Sequence, residues 1–354
     1  VRTSFHSLRV AAVEPLCEDA AAVTFDVPAE LAERYAFRAG QSLTLRRVVD
    51  GRDERRSYSL CAPEGGPLRI GVREVPGGLF SAWLVRDLRP GDLVETLPPL
   101  GSFVPDLSAP AHHALIGAGS GITPLLSIAA SALADPKARV TLLYGNRRSD
   151  SVMFADELAD LKDRYPDRFH LIHVLSREPR ESELLSCRLD AEHLAAVLRA
   201  LVDVPGVDHW WLCGPLGMTE DARAVLAGLE VPGEKVHREL FYAEDEEPPT
   251  PLSHVDADLE GPATDIELTL DGRVTTLRMP SAGRTILDAA QRSRPDLPFA
   301  CKGGVCGTCR ALVVSGEVRM RRNFALEDTE LAAGYVLTCQ SEPVTERVVL
   351  DFDS

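Results

Sequence analysis

The chain is 354 residues long, more than one ordinary hydrophobic core holds, so two or three domains are expected. Apolar residues make up 45% and charged residues 26%, the balance of a globular protein. Acidic side chains outnumber basic ones by 54 to 38, and the net charge of -16 argues against a phosphate-backbone partner, which needs clustered Lys and Arg.

The opening "VRTSFHSLRVAAVEP" has no apolar secretory core, so a cytoplasmic location is expected. In that reducing compartment eight cysteines read as metal ligands or buried thiols rather than disulfides. Residues 1–107 break into strand-like pieces, "SLTLRRVV", "RSYSL", "LRIGV" and "DLVETL", parted by Gly and Pro, which predicts an antiparallel β-barrel. In "RRSYSL" Arg56 and Tyr58 face one side of a regular strand, followed by Ser59. An Arg suits a pyrophosphate and a Tyr ring suits a flat cofactor, although an ordinary surface strand reads the same way. Further on, "VREVPGGLFSAWL" sets Gly78, Leu79, Phe80 and Ser81 at a helix start. Such a turn offers free N–H groups to a phosphate, or is simply a capped turn.

From 108 to 243 the texture becomes strand and helix in alternation, an α/β domain with a parallel sheet. The uncharged stretch "ALIGAGSGITPLLSIAASALA" has the length of a membrane helix, yet Gly117, Gly119, Gly121 and Pro124 break it. It reads instead as a buried strand, a glycine turn and an Ala-rich helix. "SVMFADELADLKDRY" has helical spacing at Phe154, Leu158 and Leu161. The turn "GAGSGIT" places Gly119, Ser120, Gly121 and Thr123 between strand and helix, as a phosphate-binding turn requires, but it is G-x-G-x-G and misses the usual dinucleotide fingerprint. After the second strand come Asn146, Arg147, Arg148 and Ser149, where an NAD enzyme often carries an acid. Arginines there favour a 2′-phosphate, hence NADPH over NADH; a solvated basic turn is the plainer alternative. Cys213, Gly214, Pro215 and Glu239 end later apolar runs, at the strand ends where ligands gather in such sheets.

Residues 244–262 are acidic and Pro-rich, without periodicity, and are expected to be a linker. The remaining unit, 263–354, opens with "IELTL", a turn at Asp271-Gly272 and "VTTLRM", followed by a helix at "TILDAAQRS" and late strands at "RALVV" and "RVVLDF", an α+β fold of the β-grasp kind. Cys301, Cys306 and Cys309 form C-x4-C-x2-C, and Cys339 follows after twenty-nine residues, the plant-type spacing for a [2Fe-2S] cluster. Gly303, Gly304 and Gly307 let the loop turn its amides toward sulfur. Structural zinc usually shows two paired hooks, and here Cys339 stands alone without a nearby histidine. A thioredoxin-type pair would leave Cys301 and Cys339 unexplained. Cys17, Cys61, Cys187 and Cys213 read mostly as buried structural thiols.

Taken in order, "RSYS", "GAGSGITP", "CGPLGM", "RELF" and the cysteine loop resemble the ferredoxin-NADP reductase family with a C-terminal ferredoxin domain, over nearly the whole chain. "YGNRRSDSVMFADELADLKDRYPDR" and "LAAGYVLTCQ" are most similar to one group within it, the reductase subunits of bacterial phenylacetyl-CoA 1,2-epoxidases. The resemblance implies FAD held by Arg56, Tyr58 and Ser59, with its pyrophosphate at Gly78 to Ser81. It implies NADPH at Gly119 to Thr123, its 2′-phosphate near Arg147, Arg148 and Arg177, and Cys213 and Glu239 beside nicotinamide and flavin. No side chain need act as a nucleophile. A hydride carries two electrons and a [2Fe-2S] cluster accepts one, so a flavin between them is expected. The expected acceptor is a di-iron oxygenase in other subunits of a multicomponent monooxygenase. A Rieske ring- or steroid-hydroxylating oxygenase is the alternative partner. From another class, a zinc-stapled binding module on a flavoreductase remnant is a third reading.

Overall fold

The computed structural model describes residues 4–49, 51–179, 182–241, 263–280 and 283–354; the expected linker at 244–262 lies outside them. Three sheets follow one another along the chain. The first is antiparallel: β1 (His6–Cys17), β2 (Ala20–Asp26), β3 (Ser42–Val49), β4 (Arg52–Ser59), β5 (Leu68–Arg73) and β6 (Leu93–Thr96), in the order β4-β3-β6-β1-β2-β5. An antiparallel bridge from Leu60 to Ile70 joins the two edge strands and closes the expected barrel. Its interior is apolar, with Leu8, Leu43, Leu45, Leu60 and Ile70 fully buried. The short helix α1 (Leu79–Ala82) continues as one π-type turn through Asp87 and lies against this core through Phe80 and Leu84.

The second sheet is parallel: β7 (His112–Ala118), β8 (Arg139–Asn146), β9 (Phe169–Leu175), β10 (His209–Cys213) and β11 (Val236–Glu239), ordered β11-β10-β7-β8-β9. Its connections run through α2 (Ile122–Ala132), α3 (Ala155–Arg164), α4 (Ala191–Leu201) and α5 (Leu216–Gly228). The order reverses between β7 and β10, so the crevice for a ligand opens at the carboxyl ends of those two strands. Among the described residues no helix is long and apolar enough to cross a membrane. The uncharged stretch at 114–134 divides into β7, a 3-10 turn and α2, as its glycines predict. One expected element is shifted: Phe154 does not begin a helix but caps α3 at φ +58°, buried beneath the barrel. There its ring lies 5.4 Å from the Arg69 guanidinium, and a Cβ on Gly71 of β5 would come within 2.8 Å of it. Interdomain packing has overridden the helical period at this point.

The third sheet, β12 (Ala263–Leu270), β13 (Arg273–Pro280), β14 (Arg310–Ser315), β16 (Tyr335–Leu337) and β18 (Arg347–Asp351), is ordered β13-β12-β18-β14-β16. Strands β15 (Val318–Met320) and β17 (Ser341–Pro343) pair separately. Only β12 and β18 run parallel; the other neighbours are antiparallel. Asp271 and Gly272 both take positive φ, 52° and 69°, the type I′ turn their identities predict. The helix expected over "TILDAAQRS" is shorter, α6 (Ile286–Ala290), with Thr285 as its N-cap accepting from the Asp288 N–H. Its buried Ile286, Leu287 and Ala290 pack on the sheet core, and α7 (Asp328–Ala332) precedes β16.

Candidate functional site

Strand β4 keeps a regular register with β3 from Arg52↔Val49 to Ser59↔Ser42, so Arg56 and Tyr58 share a face as expected. The Tyr58 ring lies 6.1 Å from that of Phe80, which brings the "RSYS" and glycine-turn motifs together. Burial pushes the Tyr58 phenol well above its ordinary value, so it stays neutral. Phe80 in turn meets Trp83 edge-on at 5.6 Å. Ser81 is buried and its Oγ accepts from the Val75 N–H at 3.0 Å, a hydrogen bond that fixes the turn before α1. Arg56 is exposed and pairs with Glu54 at 3.1 Å, while its Nη1 donates to the Arg55 carbonyl.

At the crevice of the parallel sheet, Gly119 turns with φ +56° and its carbonyl accepts from the buried Tyr144 hydroxyl at 2.9 Å. Thr123 Oγ1 donates to the Ser120 carbonyl at 3.0 Å. Gly121 is demanded by close approach: a Cβ there would sit 2.1 Å from the carbonyl oxygen of Cys213 and 2.9 Å from the Gly214 nitrogen. The turn after β7 is thus pressed onto the end of β10. Arg73, which the sequence did not single out, adds charge here, since its Nη1 would be 3.2 Å from a Cβ on Gly119. It is clamped by Asp19 at 3.1 Å and the Ser151 carbonyl at 2.5 Å. Its signal was the basic residue just before the "VPGG" turn.

Arg147, Arg148 and Arg177 are exposed where β8 and β9 end, and the Arg177 N–H donates to the Arg147 carbonyl at 2.8 Å. Arg148 pairs with Asp150, and Glu178 accepts from both the N–H and hydroxyl of Ser149. Among the described residues no ion pair engages Arg147 or Arg177. The buried Asn146 precedes them.

The barrel and the parallel sheet meet chemically at Ser59, whose Oγ donates to Oε2 of Glu239 at 2.9 Å. Burial raises the Glu239 carboxyl to about 7, against the opposing effect of that hydrogen bond. Cys213, on the neighbouring strand, is fully buried and its thiol is pushed well up, first by burial and then by Glu239. Cys213 ends β10 at the switch point and Glu239 ends the adjacent edge strand β11, both at carboxyl strand ends as their sequence positions predict.

In the third unit the four clustered cysteines fall into two neighbouring pairs, Cys301 with Cys306 and Cys309 with Cys339, each thiol shifting the other's ionisation. The neighbouring Cys306 draws Cys301 below the usual thiol range, and the same closeness pushes Cys306 up. Gly303 N–H donates to Cys301 Sγ at 3.3 Å, with the amides of Val305 and Cys306 also directed at it. Lys302, Gly304 and Gly307 all take positive φ to make that loop. Gln340 ties it shut, Nε2 donating to the Lys302 carbonyl at 2.8 Å and approaching Cys339 Sγ at 3.7 Å. Among the described residues no three His, Cys, Asp or Glu side chains converge as on one ion. Two thiol pairs with amide donors suit a cluster with one metal centre per pair, and not a single tetrahedral zinc. Of the four cysteines outside the cluster loop, Cys61 and Cys213 are buried as expected, whereas Cys17 and Cys187 are only half-buried.

A cavity of about 570 Å³ joins the three units. The barrel contributes Gln41 and Phe103, the parallel sheet Arg238 and Glu239, and the cysteine loop Cys306 and Thr308. Its size is that of a small-molecule site. Gln41 and Phe103 were not legible as site residues, because only the fold brings them there.

Comparison with known proteins finds three family matches along the chain. The chain matches the family described as oxidoreductase FAD-binding domain over residues 7–104, oxidoreductase NAD-binding domain over 115–224, and 2Fe-2S iron-sulfur cluster binding domain over 268–344. It is 42% identical to one of the subunits of the 1,2-phenylacetyl-CoA epoxidase of Escherichia coli (strain K12), covering 99% of both chains. It is 34% identical to the ferredoxin reductase component of the 3-ketosteroid-9-alpha-monooxygenase of Rhodococcus rhodochrous, covering 98% of this chain and 96% of that one. Among solved structures, phthalate dioxygenase reductase superposes with a TM-score of 0.60 at 26% identity, covering 99% of this chain and 98% of its own.

Proposed function

The chain belongs to the ferredoxin-NADP reductase family with a C-terminal 2Fe-2S domain, the reductase components of multicomponent oxygenases, and from that membership we propose that it carries electrons from NADPH to the di-iron oxygenase that epoxidises phenylacetyl-CoA. The observation that carries the reading is the common cavity, where Glu239, bonded to Ser59, and the cysteine loop face one space. Tyr58, Ser59 and the Gly78–Ser81 turn would hold FAD, with Arg56 swinging from Glu54 to its pyrophosphate. Gly119, Ser120, Gly121 and Thr123 would receive the NADPH pyrophosphate, and Gly214 and Pro215 would border the nicotinamide. Arg147, Arg148 and Arg177 would meet the 2′-phosphate. Cys301, Cys306, Cys309 and Cys339 would hold the cluster.

Bound flavin supplies the conversion of a two-electron hydride into single electrons, which a [2Fe-2S] cluster requires. The chain's own residues do the rest by placement and electrostatics. Near neutral pH the Glu239 carboxyl exchanges its proton at the wall of the cavity, and the Ser59 hydroxyl orients it. As an anion it favours the positive charge that develops on a nicotinamide losing hydride. Cys213 stays a neutral thiol, a polarizable wall beside it.

The acceptor is tested by adding phenylacetyl-CoA and the oxygenase subunits of a phenylacetyl-CoA epoxidase to the holoprotein with NADPH. Oxidation of NADPH rises and epoxide appears with it. No stimulation there, with stimulation by a 3-ketosteroid monooxygenase, would transfer the chain to the second class of partner that its relatives include.

A further inference from the structure

Arg55 is adjacent to the flavin motif but belongs to neither cofactor site, and it is the one fully buried arginine among the described residues, at 4% exposure. Its guanidinium leaves the barrel and enters the cysteine-bearing domain. Nη1 donates to the Leu297 carbonyl at 3.3 Å and Nη2 to the Pro295 carbonyl at 3.4 Å, while Nε and Nη2 donate to Asp53 at 3.2 and 2.9 Å. The group lies over the Phe299 ring at 3.9 Å, with Phe5 at 4.9 Å on the barrel side. Phe299 stands two residues before Cys301, and Lys302 Nζ is 4.9 Å from the same ring. One side chain of β4 therefore holds the segment that enters the cysteine loop, while Tyr58 and Ser59 of the same strand face the flavin region.

A second contact flanks the cavity from the other reductase domain. His237 Nδ1 of β11 lies 3.0 Å from Oε1 of Glu327, the N-cap of α7. Its ring is stacked on Trp211 at 4.2 Å and 22°, so its direction is fixed. Asp53 compensates the buried charge of Arg55, which makes the clamp tolerable in a dry interface. A guanidinium fork reaches Asp53 and two carbonyls at once while its carbon sits over the Phe299 ring; an ammonium does not.

We propose that Arg55 is the positioning residue that docks the cluster domain on the flavin domain for internal electron transfer, with His237–Glu327 as a second, weaker anchor. The proposal rests on the electron-transfer function given above.

Three variants of the holoprotein test it: Arg55→Lys, Arg55→Met and Glu327→Gln. Arg55→Lys keeps a cation near Phe299 and Glu327→Gln alters a half-exposed side chain, so the test does not depend on the Met variant folding. Each is mixed rapidly with NADPH while flavin and cluster absorbance are followed, and each is measured by small-angle X-ray scattering. In the Arg55 variants flavin reduction keeps its wild-type rate and cluster reduction slows by roughly ten- to a hundredfold, as misplacement by an ångström or more entails. Glu327→Gln slows it about two- to fivefold, as befits one half-exposed side-chain hydrogen bond. The radius of gyration increases in both Arg55 variants. Cluster reduction at the wild-type rate in Arg55→Lys and Glu327→Gln, or scattering unchanged in both Arg55 variants, overturns the proposal. A wild-type protein that shows flavin and cluster absorbance but never passes electrons between them overturns the functional reading instead.

Discussion

Ser59 and Glu239, 180 positions apart, share a 2.9 Å hydrogen bond that joins the antiparallel barrel to the last strand of the parallel sheet. The bond ties the residue after Tyr58 to a carboxyl whose ionisation burial has moved to about 7. Proton state and domain contact are therefore coupled at one point, at physiological pH.

The first prediction concerns that carboxyl. Between its ordinary value of 4.5 and about 7 the folded chain keeps a proton that the unfolded chain has lost, so this group makes stability fall as pH rises through that window. Glu239→Gln removes this slope, and the stability difference between variant and wild type grows from pH 5 to 7. The rate of hydride transfer from NADPH rises with an inflection near 7 in the wild type and is flat in the variant. Denaturant unfolding and rapid-mixing kinetics across that range check both.

Cys309→Ser strips the cluster absorbance, because Cys309 and Cys339 form one of the two thiol pairs. Reduction of a dye that draws electrons from the flavin stays close to wild type, since the cores of the barrel and parallel sheet include no residue of the cysteine-bearing unit, whose core is separate. Loss of both activities together would count against separable domains.

Gly121→Ala drives a methyl group toward the Cys213 carbonyl, 2.1 Å from where its Cβ would lie. Relief requires the turn after β7 to separate from β10, at a cost of about 1–3 kcal/mol in stability. The Michaelis constant for NADPH rises with it. Thermal unfolding and steady-state kinetics measure the two effects, and an unperturbed variant would mean that the turn is not pressed on that strand.

Arg147 and Arg148, both changed to Ala, raise the Michaelis constant for NADPH more than for NADH. A 2′-phosphate held by these exposed arginines would be bound by charge, so the preference shrinks at high salt. Equal effects on the two nucleotides would remove the case for NADPH.

Much of this architecture was legible because its signals are local. The cysteine spacing, the Asp271-Gly272 turn and the glycine turn after β7 each specify backbone within a few residues. The strand pieces from 42 to 96 and the alternating strands from 114 to 239 likewise carried their own period. What was not legible depends on contacts between distant segments. Phe154 leaves the helix pattern because Gly71 and Arg69 of the barrel claim its ring. Arg55 reads as one more basic residue in "RRSYS" until Pro295, Leu297 and Phe299 are brought beside it. Gln41, Phe103 and Arg73 join the site only through folding, and the strands β1 and β2 lacked the flanking turn signals that marked their neighbours.

Electrons enter this chain at a flavin and leave it at a cysteine-bound cluster. Mixing the wild-type holoprotein with NADPH under anaerobic conditions, and recording the full visible spectrum through time, tests this route most directly. Flavin absorbance falls first, cluster absorbance then falls in an intramolecular step independent of protein concentration, and the reduced cluster gives a [2Fe-2S] electron paramagnetic resonance signal. A cluster that stays oxidised while the flavin is reduced, or a purified chain with neither absorbance, would contradict it.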